Sequence, residues 1–127
     1  MKREIKFRGL NIGNIWHVGH YYVDPVYEED KVHWQPMILK YDEFGNDDAC
    51  IVKRDTLGQF TCEIDVCGEE IYEGDILDTP MGNYEVEYSD SCFRLKECGS
   101  VLSYVVKRNR CKVIGNIYQN KELLNDE

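Results

Sequence analysis

Six cysteines are the residues of this sequence whose type most readily supports chemistry: Cys50, Cys62, Cys67, Cys92, Cys98 and Cys111. Structural zinc sites usually pair their ligands across gaps of two to four residues. Four residues separate Cys62 from Cys67, five separate Cys92 from Cys98, and no C-x-x-C occurs. An even count also suits a disulfide framework, but the N-terminus carries no secretory signal. We therefore expect reduced, buried or half-buried thiols rather than a zinc site.

Carboxylates and nucleophiles show no pattern that is typical of an enzyme. The acidic residues around Gly45 superficially resemble a calcium loop, but they lack its alternation of oxygen ligands and its distal Glu. A nucleophile elbow, a P-loop and a dinucleotide-binding fingerprint are all absent. We expect no enzymatic activity, no catalytic residue and no cofactor. A hydrolase with carboxylates converging on a metal is the alternative.

Aromatic side chains are concentrated in one short stretch, and they form the candidate interaction surface: Trp16, Tyr21, Tyr22, Tyr27 and Trp34. Tyrosine and tryptophan are the residue types that dominate binding energy at protein interfaces. Such a cluster is also compatible with stacking on single-stranded nucleic acid, or with a division between the core of a β-domain and its edge. We expect an interface with another protein, most of all a second copy of this chain, or a host or phage protein.

The charge of the chain is strongly acidic but unevenly distributed. There are 15 Lys and Arg against 24 Asp and Glu, which gives a net charge of −9. A candidate basic arm interrupts this acidic character, and it consists of Lys107, Arg108, Arg110 and Lys112. A solvated turn near Asn109 explains this arm, as does contact with the acidic surface of another copy. Direct nucleic-acid binding is disfavoured by the surrounding negative field, and DNA mimicry is an alternative.

The order of β-forming runs and turn residues predicts a mainly β chain. Turn signals recur at roughly 8–12 residues, the spacing of a small barrel or sandwich. We predict one domain over residues 1–127, a compact antiparallel barrel-like or sandwich fold with a short C-terminal helix at 121–124. The segment 101–106 is expected to be a strand, and Pro25 to interrupt the strand that begins at Ile15. No apolar run is long enough for a membrane span, so we expect a cytoplasmic protein.

Three segments of the chain resemble the YopX family of small phage and prophage proteins. They are residues 5–9 with the following Trp16, residues 58–61 with 68–77, and residues 113–124. The resemblance implies a mainly β domain that is encoded by a phage or an integrated element and acts inside a bacterium. It implies no particular reaction. Together with the aromatic cluster, it predicts a non-enzymatic accessory protein that binds other proteins and associates with itself.

The segments that carry this resemblance also have physical interpretations, all of them structural. The motif residues are Gly68, Ile71, Tyr72, Gly74, Asp75, Gly115 and Asn116. We expect Gly74 to adopt positive φ, Asp75 to accept hydrogen bonds from the turn backbone, and Ile71 to be buried. Gly115 is expected to mark a β-bulge. The chain departs from the family pattern at Cys62, where the resemblance implies Gly, at Cys67, where it implies Asp or Asn, and at Lys121, where it implies Pro.

Overall fold

A computed structural model describes residues 3–41, 43–108 and 111–124 of the chain. Contacts divide it into two compact units. The first unit is Glu4–Gln59, and the second is Phe60–Glu127 together with Met1–Arg3. The proposal of a single domain over 1–127 stays a prediction. The mainly β prediction is confirmed, since strands form most of the described secondary structure and all of their pairings are antiparallel.

The first unit is built on four strands: β1 (Phe7–Leu10), β2 (Trp16–Glu28), β3 (Lys31–Tyr41) and β4 (Asp47–Ile51). They are hydrogen-bonded in the order β4-β3-β2-β1, and a short 3-10 turn at Arg54–Thr56 follows. The first two residues of β5 (Gly58–Ile64) pair with β1. Gly9 of β1 lies against Val52, where an added Cβ would be only 2.8 Å from the valine Cβ. This close approach requires glycine.

The second unit contains the remainder of β5 and a four-stranded sheet. Its further elements are β6 (Glu70–Tyr72), β7 (Asp75–Thr79), β8 (Gly82–Ser89), β9 (Cys92–Leu95), the helix α1 (Leu102–Arg108), β10 (Lys112–Asn116) and a 3-10 turn at Lys121–Leu124. The rest of β5 pairs with β6, and the four-stranded sheet has the order β10-β7-β8-β9. This sheet has open edges at β10 and β9 among the described residues, so it is not a closed barrel.

The core of the second unit consists of fully buried side chains from its strands and from α1: Ile71, Leu77, Val86, Leu95, Leu102, Val105 and Cys111. Residues 101–106 are therefore not the strand that their β-forming composition predicts. Leu102 and Val105 are three positions apart, the spacing that places both on one face of a helix. Burial of that face outweighs the modest helix propensity of the two valines. In the part of the chain that the structure describes, no helix is long and apolar enough to span a membrane.

Candidate functional site

A long β-hairpin is the most prominent feature of the first unit. β2 and β3 pair continuously from His20↔Leu39 to Glu28↔Lys31. A two-residue turn joins them, and Glu29 in this turn has φ +47°. β1 pairs with β2 only as far as Gly19, and β4 pairs with β3 only from Met37 onward. Residues 20–36 therefore extend beyond the neighbouring strands β1 and β4, and we refer to them as the hairpin arm.

The two faces of the hairpin arm differ in chemistry. Successive side chains of a strand point to opposite faces, and directly paired residues of an antiparallel ladder share a face. The register places seven apolar residues together on what we call the apolar face: Tyr21, Val23, Pro25, Tyr27, Val32, Trp34 and Pro36. Tyr27 is 75% exposed and Trp34 is 55% exposed. The opposite face is mainly polar and includes the exposed ion pair between His33 and Glu28, with 3.5 Å between Nε2 and Oε2.

The structure divides the candidate interaction surface predicted from the sequence. Tyr21, Tyr27 and Trp34 lie on the apolar face, whereas Tyr22 and Trp16 lie on the opposite face of the sheet. The Trp16 ring is stacked against the Arg8 guanidinium, 4.2 Å from the ring centroid. Trp16 therefore contributes to the packing of the first unit rather than to the hairpin arm.

The apolar face also contains Val23 and Val32, which sequence reasoning did not select. The alternation of residue types along 21–27 was the signal for them, but Pro25 suggested that the strand ended there. Pro25 instead continues β2 opposite Trp34. The prediction that Pro25 interrupts the strand is wrong, and the geometry of the strand edges gives the physical reason.

The backbone of the hairpin arm has one covered edge and one open edge. The Pro36 carbonyl accepts a hydrogen bond from the Val52 N–H at 3.1 Å, and the Trp34 carbonyl accepts one from the Arg54 guanidinium. The carbonyl groups of Pro36 and Trp34 therefore point away from β2. In an antiparallel ladder, the β2 residues that face them, Val23 and Pro25, likewise point their backbone groups away from β3. Pro25 lies at such an outward position, where its missing N–H costs no bond within the hairpin. Within the described residues, no strand pairs with the outer edge of β2 beyond Gly19.

The candidate basic arm lies in the second unit, at the end of α1 and the start of β10. Lys107 and Arg108 are exposed in the last turn of the helix, and Lys112 is exposed at the first position of β10. The Arg108 guanidinium lies 5.4 Å from the centroid of the Tyr104 ring. Arg110 lies outside the described residues, as does Asn109. The hairpin turn predicted near Asn109 does not connect two strands, because a helix precedes it.

The motif residues around Gly74 have the structural roles that the sequence predicts. Gly74 adopts φ +93°, and the buried Asp75 accepts a hydrogen bond from the Tyr72 N–H at 2.7 Å. The Gly74 carbonyl accepts a hydrogen bond from the Ile117 N–H at 2.9 Å. Ile71 and Tyr72 are both buried. The loop between β6 and β7 is thereby fixed to the segment that follows β10.

The closing motif is likewise a compact hydrogen-bonded turn. The register between β10 and β7 shifts between Val113 and Gly115, which confirms the predicted bulge. An added Cβ at Gly115 would be 2.6 Å from the Asn120 Oδ1. The buried Asn116 side chain accepts hydrogen bonds from the Tyr118 and Gln119 N–H groups. The Asn120 side chain accepts a hydrogen bond from the Asn116 N–H at 3.2 Å.

A buried carboxylate that sequence reasoning missed organises the turn after β5. Asp65 accepts hydrogen bonds from the N–H groups of Cys67, Glu69 and Val113, at 2.8, 2.9 and 2.9 Å. Burial by itself raises the pKa of Asp65. The three backbone donors and the nearby Lys112 outweigh that effect, so the pKa is held below its ordinary value. Gly68, at φ +83°, completes this turn.

The cysteines are dispersed through the chain. All six are free thiols, but the prediction that they are buried or half-buried is wrong for Cys62, Cys67 and Cys98, which are exposed in turns or at a strand surface. Among the residues that the structure describes, no three His, Cys, Asp or Glu side chains are grouped so that they could hold a metal ion. Burial raises the pKa of Cys111, as does the negative charge of Asp65. Cys62 adopts φ +68°, a left-handed conformation that favours glycine. This explains why the family resemblance implies glycine at that position.

Comparisons with known proteins give a family and a solved structure of similar fold, among three matching chains. The family model described as "YopX protein" matches residues 6–125. The crystal structure of protein EF1440 from Enterococcus faecalis is similar, with a TM-score of 0.57 and 25% sequence identity. The similarity covers 97% of this chain and 99% of that one. No curated protein matches the chain.

Proposed function

We propose that this chain, which belongs to the YopX family, is a non-enzymatic protein-interaction module that self-associates through the apolar face of its hairpin arm. One observation carries the proposal: the arm presents exposed aromatic and aliphatic side chains on one face and mainly polar side chains on the other. Contiguous apolar patches rimmed by polar residues are typical of protein-interaction sites. Isolated exposed apolar residues would carry no such implication.

The residue types on the apolar face favour a protein partner. Tyr27 and Trp34 are well exposed and come from adjacent strands, so a single partner surface can cover both rings. Truncation of a buried interface tyrosine or tryptophan typically costs about 2 kcal/mol or more. Arg54, in the 3-10 turn, and Val52 each donate a hydrogen bond to a carbonyl group of β3. These two bonds hold one edge of the hairpin arm in place. The binding surface is therefore preorganised, which lowers the entropic cost of association.

The biological setting of the proposal comes from the family resemblance. A phage or prophage origin and action in the cytoplasm of a bacterial host are part of the proposal. In that setting, self-association is the primary interaction, and a host or phage protein is the second class of partner. The same apolar face would serve for either partner.

The experiment measures the mass of the protein in solution by sedimentation velocity across a range of concentrations. We expect the wild-type chain to form a homo-oligomer. The double variant Tyr27→Ser with Trp34→Ser removes the two most exposed rings of the apolar face and should weaken association at least about tenfold. Tyr22→Ser is the matched control, since Tyr22 lies on the same strand but on the opposite face, and it should associate like the wild type.

Two results would contradict this function. A wild-type chain that stays monomeric up to about 100 μM would exclude self-association at the strength expected of a functional homo-oligomer. Equal weakening by the double variant and by Tyr22→Ser would show that the apolar face is not the contact. Circular dichroism of each variant verifies that the strands are retained, so that a change in mass reports on the interface.

A further inference from the structure

A cleft in the second unit runs along the first half of β8, where Glu85 projects from the face opposite to the buried Val86. Its volume is about 570 Å³, within the range typical of small-molecule sites. The lining includes three charged residues, Glu85, Lys96 and Lys121, and apolar surface from Met81, Tyr84 and Leu124. One wall is the end of β9, and the other is the 3-10 turn at Lys121–Leu124, which the Asn83 side chain holds by a 3.0 Å hydrogen bond to the Leu123 carbonyl.

Two lysines from different segments of the cleft lining, Lys96 and Lys121, act on one carboxyl group. Glu85 is mostly buried, with a side-chain exposure of 17%. The Lys96 Nζ is 4.0 Å from the Glu85 Oε1, at the outer limit for an ion pair, and the lysine side chain is 53% exposed. Lys121, in the 3-10 turn, attracts the same carboxylate and is itself exposed. The ammonium groups are therefore only loosely neutralised by Glu85 and accessible from solvent.

The surroundings of Glu85 raise the pKa of its carboxyl group above the ordinary value. Burial raises the pKa of Glu85, and the negative charges of Glu87 on the same strand and of Glu73 before β7 raise it further. Lys96 and Lys121 lower the pKa, but they do not compensate for burial. Glu97, at the rim, adds another negative charge to the lining. Protonation of Glu85 would leave the two ammonium groups without the anion that they now share.

We propose that this cleft binds a small organic monocarboxylate, with its carboxylate held by Lys96 and Lys121 against the Glu85 carboxyl group. Met81, Tyr84 and Leu124 provide apolar surface for the body of the ligand. The protonated Glu85 carboxyl group donates a hydrogen bond to the ligand carboxylate, and the two ammonium groups supply charge-assisted donors. At a pH where Glu85 is ionised in the unliganded protein, its carboxylate takes up one proton for each ligand that binds. This site does not rest on the proposed function, because the cleft belongs to the second unit and the hairpin arm to the first.

The charge of the cleft selects a monoanion. Protonated Glu85, Lys96, Lys121 and Glu97 together carry one positive charge, which one carboxylate neutralises. A dianion would leave excess negative charge near Glu73 and Glu87, on a chain whose net charge is already −9. An organic ammonium would require the two lysines to move away from Glu85. The proposal therefore predicts a preference for monocarboxylates over both alternatives.

The experiment is isothermal titration calorimetry of the full chain with hexanoate, and with hexylammonium and sulfate as competing chemistries. We expect hexanoate to bind at pH 5 and its affinity to fall by up to about tenfold per pH unit once Glu85 is ionised in the unliganded protein. Titration in two buffers of different ionisation enthalpy should show proton uptake. Lys96→Met and Lys121→Met should each weaken hexanoate binding at least about tenfold. Lys107→Met, on α1, is the matched control and should leave binding unchanged.

Glu85→Gln separates the role of the carboxyl group from that of the lysines. The glutamine amide donates the same hydrogen bond at every pH, so hexanoate should bind with an affinity that no longer falls as the pH rises. The proposal would be overturned if hexylammonium or sulfate bound more tightly than hexanoate. It would also be overturned if hexanoate did not bind at pH 5 at about 10 mM, a limit for any useful affinity. A pH dependence that persists in Glu85→Gln would overturn it as well.

Discussion

At the scale of single residues, Asp65 shows how a buried carboxylate fixes a turn. Its two oxygens accept three backbone hydrogen bonds, two from its own turn and one from β10. The three bonds are partly buried, and a hydrogen bond to a charged group typically contributes about 1.5–3 kcal/mol. The ionised carboxylate is the form that accepts all three bonds without a steric or donor–donor conflict. The pKa of Asp65 is accordingly held below its ordinary value.

Asp65→Asn is expected to lower the free energy of unfolding by about 1–3 kcal/mol at neutral pH, because the amide NH₂ cannot accept a hydrogen bond. A lowered pKa in the folded state means that ionised Asp65 stabilises the fold above its unfolded-state pKa. That contribution is lost as the pH falls through the folded-state value, which lies below 3.8. The difference between wild type and variant should therefore narrow at low pH, as measured by urea unfolding from pH 7 to pH 2.

The exposed Asp78 on β7 provides the matched control for this prediction. Asp78→Asn makes the same chemical change on the solvent face of a strand and should alter the free energy of unfolding by less than about 0.5 kcal/mol. An Asp65→Asn effect of the same size as the Asp78→Asn effect would show that the three backbone bonds do not depend on the carboxylate.

At the scale of elements, glycines at positive φ fix two of the turns, but with different surroundings. Gly74 and Gly68 have similar φ values of +93° and +83°. A Cβ at Gly74 would be 3.1 Å from the Tyr118 ring, whereas a Cβ at Gly68 would meet nothing within 4 Å. The two positions therefore share the conformational requirement for glycine and differ in packing.

Alanine at each of these glycines separates the cost of conformation from the cost of packing. Gly68→Ala should lower the free energy of unfolding by about 1 kcal/mol, the cost of a left-handed non-glycine residue. Gly74→Ala should lower it by about 1–2 kcal/mol more, because the Tyr118 ring must also shift. Urea denaturation of both variants under identical conditions gives the comparison. Equal effects would show that the Tyr118 ring yields without cost.

The elements that sequence analysis predicted correctly are those whose signals are local. Alternation in β8 and the turn residues around Gly74 need no information from elsewhere in the chain. Helix α1 was wrongly predicted as a strand, because its valines are β-formers and its helical state depends on burial of Leu102 and Val105. Pro25 was wrongly taken as a strand end, because the direction of its backbone depends on the register with β3. The same register brings Val32 and Trp34 of β3 onto the face that carries Tyr21 and Tyr27.

At the scale of the whole molecule, the net charge of −9 sets the electrostatic cost of bringing two copies together. Like-charged copies repel, and added salt screens this repulsion with a Debye length of about 10 Å at 0.1 M. Association through the apolar face of the hairpin arm contributes no ionic attraction that salt could weaken. Contact between the basic residues 107–112 of one copy and an acidic surface of another would behave in the opposite way.

We therefore expect self-association to strengthen at least about threefold when NaCl is raised from about 50 to about 500 mM, because screening reduces repulsion between the copies. Sedimentation velocity at both salt concentrations measures the change in the dissociation constant. Lys107→Gln with Arg108→Gln makes each copy more negative, so it should weaken association at low salt and have little effect at high salt. Weaker association at high salt in the wild type would instead identify the basic arm as the contact, because only an attraction between opposite charges is lost on screening.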